Sequence, residues 1–505
     1  MNPFVKRHQD NIHGVLGCFD RVVITGTLPD IAHSRAAEWY LSQRDFRLFD
    51  YPRWAEPLRD EIRTHAQRLA EKAGVEIEFI RNYRSFRKED RIKAIVAERG
   101  DHPGLVHIFS AMESCPSYRP WHDKLQHTTT LRSTTGKCLH YYFYFLDEHF
   151  GLCYVRLPTW APFRLQVYFN GHSWLARQLQ RARIGFKMAD NAFLEIDDPA
   201  RAQVLADAFN PKQLHRRLDR WARSYCPVLR HFHAGYHWSF MQAELATDVV
   251  FKRQSDFQPL YEALVRTAVH AIKADQVATF LGRRLTNAST QEIGNHFHTR
   301  IEGTRIRHHM GPASLKLYDK FGLMARVECT VNDVTFFRLH RRVEHRDGRT
   351  EFKLAPLRKS IYSLPALRKL MRAANERYLT FMASIDNPDA GLKAIDRMAQ
   401  PARDQGRSFR GFNLFLEHDY RLFLTIARGE WDISGFRAAD LRRHIPDLSS
   451  SRACYLIKRL RTHGLVKKVG HRYKYYLTRI GRRVVASALS IREFVVLPNL
   501  SLQPT

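Results

Sequence analysis

The alternation of apolar and polar residues predicts a mixed α/β region over the first two hundred residues. Strand-like and helix-like segments alternate there, at 21–28, 34–73, 75–80, 88–97 and 105–109. From 137 to 170 the pattern is almost entirely β, and aromatic residues at 141–145 fall on both faces of one strand. Burial on both faces is favoured there over an exposed stacking platform for unpaired bases. These elements predict an α/β domain over residues 1–197.

Residues 198–400 combine helical spacing with antiparallel β patterns. Between helix-like segments, residues 302–356 contain three strand-like runs and a hairpin that turns at Asp347-Gly348. Residues 401–413 are rich in Gly and Arg and lack an apolar period, which predicts a linker. The sequence therefore predicts an α+β multidomain protein with a mixed α/β N-terminal body, a β-rich middle and a C-terminal winged helix. The predicted parts are domains 1–197 and 198–400, the linker 401–413 and a domain at 414–490.

The C-terminal prediction comes from the pattern between Phe436 and Val485. A short helix is ended by Pro446, because the residue before a proline is pushed out of the helical region. A serine at 449–451 can cap a second helix, and Gly464 can end it in a left-handed conformation. The apolar face of that helix consists of Ala453, Leu456, Ile457, Leu460 and Leu465. Two alternating segments follow with Gly470-His471 between them, so the order helix, turn, helix and β-ribbon predicts a winged helix.

The outward positions of this segment are strongly basic. From Arg437 to Arg483 there are 14 Lys or Arg and 2 Asp, so 14 − 2 gives a local charge of +12. A helix of this kind fits the major groove of DNA, while a ribbon contacts the backbone or the minor groove. The residues predicted to contact nucleic acid are Arg452, Lys458, Arg459, Arg461, Lys467, Lys468, Arg472 and Lys474.

Two stretches of this segment carry a family resemblance. The run LIKRLRTHGLVKK, followed by YYLTRIGRRV, resembles the winged-helix domains of MarR-type bacterial regulators over about the last tenth of the chain. The resemblance implies the fold, and winged helices bind DNA, RNA or protein.

Composition and charge indicate which classes of binding partner to expect. The chain has 505 residues, 44% of them hydrophobic, a net charge of +30 and a pI near 10.1, so it is expected to fold and to attract polyanions. DNA is the favoured partner, RNA stays open, and a homodimer is a further possibility. No run is long and apolar enough for a membrane span, and no signal peptide is recognised, which predicts a cytoplasmic protein. Seven scattered cysteines are predicted to be reduced thiols and not a metal site.

A second resemblance spans most of the chain. The stretches GVLGCFDRVVITGTL, PFRLQVYFNG, ATDVVF and SLKLYDK resemble a group of large basic bacterial proteins associated with mobile DNA. The resemblance implies a context and no mechanism. The sequence as a whole therefore predicts a nucleic-acid-binding protein, preferring double-stranded DNA, of mobile-element or regulatory type.

A nuclease or transposase that acts on the same DNA is the alternative. Metal-dependent cleavage of phosphodiesters uses two or three carboxylates. Asp20, Asp147 and Asp248 lie at or near the ends of predicted strands, and Asp20 with either Asp147 or Asp248 would mimic the acidic triad of a ribonuclease-H-like fold and hold Mg²⁺ or Mn²⁺. Ion pairing with some of the 81 Lys and Arg is the structural alternative for the same residues.

A tyrosine nucleophile is the other enzymatic alternative. SLKLYDK with MARVECTV resembles the hairpin of plasmid and phage replication initiators, which would make Tyr318 the nucleophile and Lys320 a neutralising charge. A divalent ion would then be held by the His-Phe-His tripeptides at 231–233 or 296–298, because residues i and i+2 share a face of a strand. Arg326 and Glu328 would equally form an ion pair on one face of a sheet.

Overall fold

The chain folds into two units. The computed structural model describes residues 1–81, 86–283, 293–300, 303–345, 347–385, 397–413, 415–428, 431, 435–469 and 473–492. Unit 1 comprises 1–262 and 273–380, and unit 2 comprises 263–272 and 381–505. Both units combine helices with antiparallel strands, so the fold is α+β.

Unit 1 is built on one large sheet. Its strands are β1 (Ile12–Thr27), β2 (Ile77–Phe79), β3 (Gly104–Asp123), β4 (Thr128–Asp147), β5 (Gly151–Pro158), β6 (Leu165–Asn170), β7 (Phe186–Ala189), β8 (Ala192–Ile196), β9 (His237–Phe251), β10 (Ile293–Arg300), β11 (Gly303–Met310), β12 (Ala313–Lys320), β13 (Met324–Val331), β14 (Arg338–Glu344) and β15 (Thr350–Pro356). Eleven of them form the sheet in the order β10-β11-β12-β13-β9-β1-β6-β5-β4-β3-β2. Within these strands, β2 and β3 run parallel and the other neighbours run antiparallel. β7–β8 and β14–β15 form separate hairpins.

Helices cover both faces of β4. The helices of unit 1 and of its boundaries are α1 (Pro3–Arg7), α2 (Ser34–Ser42), α3 (Tyr51–Ala73), α4 (Lys88–Arg99), α5 (Gly171–Arg181), α6 (Pro199–Asp207), α7 (Pro211–Tyr225), α8 (Gln254–Ala271), α9 (Ala274–Phe280) and α10 (Leu364–Ile385). The ring of Phe143 is stacked on that of Tyr225 in α7, with centroids 5.1 Å apart. On the opposite face, Tyr142 and Tyr144 belong to the apolar cluster that includes Ile92 of α4. The aromatic run at 141–145 is therefore buried on both faces, as favoured from the sequence.

The sheet crosses the boundary that the sequence predicts at residue 197. β1 pairs with β6 along one edge and with β9 along the other, so that Val22 lies opposite both Phe169 and Ala243. Because this 16-residue strand offers hydrogen bonds on both edges, segments on either side of residue 197 join one sheet. The structure thus differs from the predicted division into 1–197 and 198–400, since periodicity within a segment does not indicate its partner strand.

Unit 2 carries short elements in the predicted order. They are β16 (Ala402–Asp404), β17 (Arg407–Phe409), α11 (Glu417–Ile426), α12 (Ala438–His444), α13 (Ser450–Thr462), β18 (Val466–Lys468), β19 (Tyr475–Leu477) and α14 (Arg479–Ile491). Ser449 caps α13 by accepting from the backbone N–H of Arg452 at 3.3 Å, and Gly464 has a φ of +72°. The predicted linker contains the β16–β17 hairpin, and the predicted turn at 470–471 lies outside the described residues.

Two expectations from composition have structural counterparts. No described helix is long and apolar enough to cross a bilayer. All seven cysteines are free thiols, and six of them are buried while Cys454 is exposed.

Candidate functional site

A polar row crosses one face of the large sheet at its centre. It consists of Lys316, Tyr318 and Lys320 on β12, Arg326 and Glu328 on β13, Glu244 and Asp248 on β9, and Asp20 on β1. Lys316 lies opposite Glu328, and Arg326 lies opposite both Tyr318 and Asp248. Because alternate residues of a strand share a face, this register brings the side chains of four neighbouring strands together.

Asp20 lies at a β-bulge in β1. Phe19 pairs with Leu245 and Val22 pairs with Ala243, so Asp20 and Arg21 together face the single residue between them on β9, Glu244. The first residue of α5, Gly171, packs against the bulge so closely that a Cβ on it would overlap the carbonyl oxygen of Phe19. The close approach of α5 also brings His172 to the row.

A buried ionic network forms one half of the polar row. Arg326 donates from Nε to Oδ1 of Asp248 at 2.6 Å and from Nη2 to Oδ2 at 2.7 Å, a bidentate pair. Its Nη1 lies 3.5 Å from Oδ2 of Asp20, and Nη2 also donates to the carbonyl of Asn191 at 2.8 Å. His172 lies between the two carboxylates, with Nδ1 3.4 Å from Asp20 Oδ1 and Nε2 3.7 Å from Asp248 Oδ2.

The network favours charged forms despite its burial. Burial alone raises the pKa of Asp20 and Asp248, but the neighbouring His172 and the charge of Arg326 hold both pKa values below their ordinary range. Burial likewise lowers the pKa of His172, and the two neighbouring carboxylates raise it overall. Asp20 also accepts from the side-chain amides of Asn170 and Asn191 at 2.8 and 2.7 Å. The charge of Arg326 and the hydrogen bonds accepted by Asp20 thus favour the charged forms of the two buried carboxylates.

A carboxylate cluster forms the other half of the row. Asp20, Glu244 and Glu328 each offer a carboxylate oxygen, and these three atoms lie within 4.8 Å of one another. Glu328 accepts from Lys316 Nζ at 2.5 Å, from the Tyr318 hydroxyl at 2.9 Å and from the Thr330 hydroxyl at 3.2 Å. Carboxylate oxygens are the ligands that Mg²⁺ and Mn²⁺ prefer, so the cluster has the chemistry to hold a divalent cation.

Glu244 is the least compensated member of the cluster. Its closest cation is Lys316, whose Nζ lies 3.8 Å from Oε1, and its side chain is 14% exposed. Burial, and then the charge of Glu328, raise the pKa of Glu244 to about 7. Burial and the same Glu328 charge also raise the pKa of Tyr318, whose hydroxyl therefore remains a neutral donor near pH 7. The phenol is thus held as a hydrogen-bond donor and not as an activated nucleophile.

The structure brings together three of the four catalytic residues proposed from the sequence. Asp20, Asp248 and Tyr318 lie in the polar row, whereas Asp147 ends β4, which β5 and β6 separate from β1. Asp147 accepts from the indole of Trp221 at 3.1 Å and from the backbone N–H of His149 at 2.8 Å. The structure therefore brings Asp20 together with Asp248, one of the two alternatives, and not with Asp147, whose carboxylate accepts from the backbone of the turn after its own strand.

Glu244 is the member of the carboxylate cluster that sequence reasoning missed. It belongs to a run of β9 in which Gln242, Glu244 and Asp248 fall on alternate positions of one face. Polar residues at period two inside an otherwise apolar strand are a signal that could have found it.

The two His-Phe-His tripeptides do not form a shared metal site in the described residues. His231 ends a 3₁₀ helix, Pro227–His231, and its Nε2 lies 2.8 Å from Glu61 Oε2. His296 lies on β10 with its ring stacked on that of His309 at 4.8 Å, and the side chain of His298 lies outside the description. The first tripeptide is not on a strand, so the expected sharing of one face does not arise.

The basic residues of α13 and of the β18–β19 ribbon form a second candidate site. Six of the eight predicted residues are exposed or half-buried there: Arg452, Lys458, Arg461, Lys467, Lys468 and Lys474. In the part of unit 2 that the structure describes, the ion pairs involve Glu417 and Asp419, and none involves these six. These six residues are together called the basic face, and none of them forms an ion pair with a described carboxylate. Arg472 lies outside the described residues.

Arg459 is not on the basic face, contrary to the prediction. Its side chain is fully buried and donates to both carboxylate oxygens of Asp419, at 2.7 and 2.9 Å, and to the carbonyls of Arg410 and Gly411, at 3.0 and 2.6 Å. Residues seven apart share one side of a helix, so Arg452 and Arg459 point the same way. Segment 410–411 and α11 cover Arg459 and leave Arg452 uncovered. This difference depends on tertiary packing, which helical spacing does not predict.

No protein-family model and no curated protein matches this chain. The resemblances to MarR-type domains and to mobile-element proteins therefore stay predictions.

Arg326→Leu is expected to lower the free energy of unfolding by about 3–5 kcal/mol, because the buried charge of Asp248 would lose its bidentate partner. Chemical denaturation of the full chain measures the change. Arg253→Leu is the matched control, since Arg253 pairs with Asp256 on the surface, and its loss is expected to cost about 1 kcal/mol or less. Equal losses for the two variants would contradict a structural role of the network.

The raised pKa of Glu244 predicts a pH-dependent stability. Between its ordinary value of 4.5 and about 7, the folded state binds a proton that the unfolded state does not. The free energy of unfolding therefore decreases as pH rises from 5 to 8, by roughly 3 kcal/mol at most. Glu244→Gln should flatten this dependence and be more stable than the natural protein at pH 8, while the exposed control Glu195→Gln should leave it unchanged.

Proposed function

We propose that the chain binds nucleic acid, with duplex DNA as the preferred form, through a winged helix formed by α12, α13 and the β18–β19 ribbon. The observation that carries the proposal is the basic face, whose six cations have no carboxylate partner among the described residues. Lys and Arg side chains without carboxylate partners are available to replace the counterions of a phosphate backbone. The MarR-type likeness of the same segment supports this reading.

The buried pair of Arg459 and Asp419 gives the basic face a fixed orientation. It ties α13 to α11 and to the carbonyls at 410–411, while Leu456 and Leu460 pack into the apolar core of unit 2. A helix of 13 residues is about 20 Å long and fits a major groove when its outward side chains are held in place. In this arrangement α13 enters the groove, and Lys467 and Lys468 contact the backbone beside it.

Replacement of Arg452, Lys458 and Arg461 by Ala should weaken duplex binding and reduce its salt dependence. Each lost phosphate contact lowers the slope of log affinity against log salt by about 0.9, so the slope should fall by up to about 2.7. Fluorescence anisotropy with a labelled duplex at several salt concentrations measures both effects.

The matched control removes three cations that already have partners. Arg63, Arg91 and Arg253 lie 3.9, 3.5 and 2.9 Å from the carboxylates of Asp60, Glu78 and Asp256. Their replacement by Ala changes the net charge equally and should leave the slope nearly unchanged. If both triple variants lose the same slope, binding depends on overall charge and the basic face has no special role.

A metal-dependent nuclease or transposase is the second candidate function. The observation that favours it is the convergence of Asp20, Glu244 and Glu328 from three adjacent strands within 4.8 Å. These residues would hold Mg²⁺ or Mn²⁺, which supplies Lewis-acid activation of a phosphodiester when bound. Lys316 competes for the same oxygens, because its ammonium already contacts Glu328 at 2.5 Å. A cation therefore has to displace Lys316 or share Glu328 with it.

The competition between Lys316 and a metal gives a direct test. Calorimetric titration of the full chain with Mn²⁺ at pH 7 should show binding with proton release, because Glu244 holds a proton near that pH. Lys316→Met should raise the Mn²⁺ affinity and Glu328→Gln should abolish binding, whereas Glu195→Gln is the exposed control. Incubation of supercoiled DNA with Mn²⁺ then shows whether nicking is lost with Glu328→Gln. If the protein neither binds Mn²⁺ nor nicks DNA, the nuclease proposal fails and nucleic-acid binding remains the proposed function.

A further inference from the structure

A second basic surface lies in unit 1, on the hairpin formed by β14 and β15. The two strands pair with each other in a sheet of their own, with Arg342 opposite Phe352 and His340 opposite Leu354. One face of the hairpin is exposed along both strands. From base to tip this hairpin face carries Arg338, Pro356, His340, Leu354, Arg342, Phe352, Glu344 and Thr350.

The hairpin face exposes a large aromatic ring among cations. Phe352 is 71% exposed and Leu354 is 49% exposed, although a phenylalanine contributes most to stability when it is buried. The ring of Phe352 has the imidazole of His340 as a neighbour, with centroids 5.9 Å apart. On the facing strand, Arg342 donates to the Thr350 hydroxyl at 3.1 Å, and Arg338 donates to the Leu354 carbonyl at 3.3 Å. Neither guanidinium pairs with a carboxylate among the described residues.

The base of the hairpin is anchored, and its exposed face is not needed for that anchoring. Ala355 and Leu357 are buried, and the N–H of Leu357 donates to the Phe337 carbonyl at 2.8 Å. On the opposite face, Lys353 pairs with Glu351 at 2.8 Å. The exposed side chain of Phe352 is therefore available for contact with a ligand, on a hairpin whose base is anchored in unit 1.

Charge indicates the class of partner. The sequence from 338 to 359 contains eight Lys or Arg and three Asp or Glu, so 8 − 3 gives +5. Guanidinium groups suit phosphate oxygens, and an exposed aromatic ring beside them suits a base with a free π-face. β-ribbons also enter the grooves of duplexes, where apolar side chains can separate base steps.

A membrane surface fits the hairpin less well. The apolar side chains lie in the middle of the ribbon, whereas the tip carries Asp347 and Arg349, which pair at 2.6 Å. Insertion tip-first would bury these charges before Phe352 reached the hydrocarbon. We propose that the hairpin face of unit 1 binds single-stranded or locally unpaired nucleic acid, with Phe352 stacking on a base while Arg338 and Arg342 contact the flanking phosphates.

This surface is distinct from the basic face of α13, and it extends nucleic-acid binding to a second site. The test therefore uses the full chain in two backgrounds, the natural sequence and the Arg452, Lys458 and Arg461 triple alanine variant. The probe is a fluorescein-labelled oligothymidylate, compared with a duplex of the same length, in fluorescence anisotropy.

Phe352→Ala should weaken single-strand affinity about 5- to 150-fold, which corresponds to the loss of one stacked base at 1–3 kcal/mol. The loss should appear in both backgrounds, and Phe352→Trp should retain the affinity because the π-face remains. Arg342→Ala should lower the single-strand salt slope by about 0.7. Phe49→Ala is the control, since Phe49 is 60% exposed in unit 1 and lies outside the hairpin.

The outcomes separate this proposal from the winged-helix proposal. Loss with Phe352→Ala in both backgrounds supports the hairpin face even if the triple variant binds duplex normally. Equal single-strand affinity of Phe352→Ala and the natural protein, with unchanged thermal unfolding, would overturn the proposal. Weakened binding of Phe352→Ala to vesicles of anionic lipid, with oligothymidylate binding unchanged, would overturn it too and would assign the face to a membrane.

Discussion

The bidentate pair of Arg326 with Asp248 is the constraint on which the centre of unit 1 depends. A guanidinium with no exposed surface is tolerated only beside anions, and Asp248 and Asp20 supply them next to Arg326, with His172 lying between the two carboxylates. The pair also sets the register of β13 against β9, because a slip of one residue would carry Arg326 to the other face of the sheet. Glu328, two residues along β13, is placed beside Glu244 by the same register. The geometry of the carboxylate cluster thus follows from a structural ion pair.

Structural demands and ligand binding compete for the same oxygens. Asp20 already accepts from Asn170 and Asn191, and Glu328 accepts from Lys316, Tyr318 and Thr330. Glu244 accepts from the side-chain amide of Gln242 at 3.1 Å, and burial and the charge of Glu328 raise its pKa to about 7. The three carboxylates of the cluster therefore differ. Asp20 and Glu328 are each held by several hydrogen bonds, whereas Glu244 changes its protonation near neutral pH.

Periodicity and local chemistry predict the elements of this chain well and their partners poorly. The serine cap and the glycine at the ends of α13 are local features, and both lie where the pattern places them. Glu244 and Asp20 are more than 200 residues apart, and their meeting depends on β9 pairing with β1 around a bulge. Arg459 differs from Arg452 only through the segment that covers it. Asp419 is an acidic residue on the apolar side of α11. Its position in the sequence pattern could have predicted a buried cation beside it.

The distribution of charge links these observations to the proposed binding surfaces. The chain has 81 Lys and Arg against 51 Asp and Glu, and several acids lie inside, where Asp248 and Asp20 both contact the buried Arg326 and Asp419 pairs with the buried Arg459. Because these carboxylates are buried, fewer anions remain at the surface to offset its Lys and Arg. The two proposed surfaces differ in chemistry, because the basic face consists of Lys and Arg side chains on α13 and on the ribbon, suited to a regular phosphate backbone, whereas the hairpin face adds an exposed ring. An aromatic ring gains from a base only where that base is unstacked, so a chain with both surfaces would distinguish a duplex from its opened form.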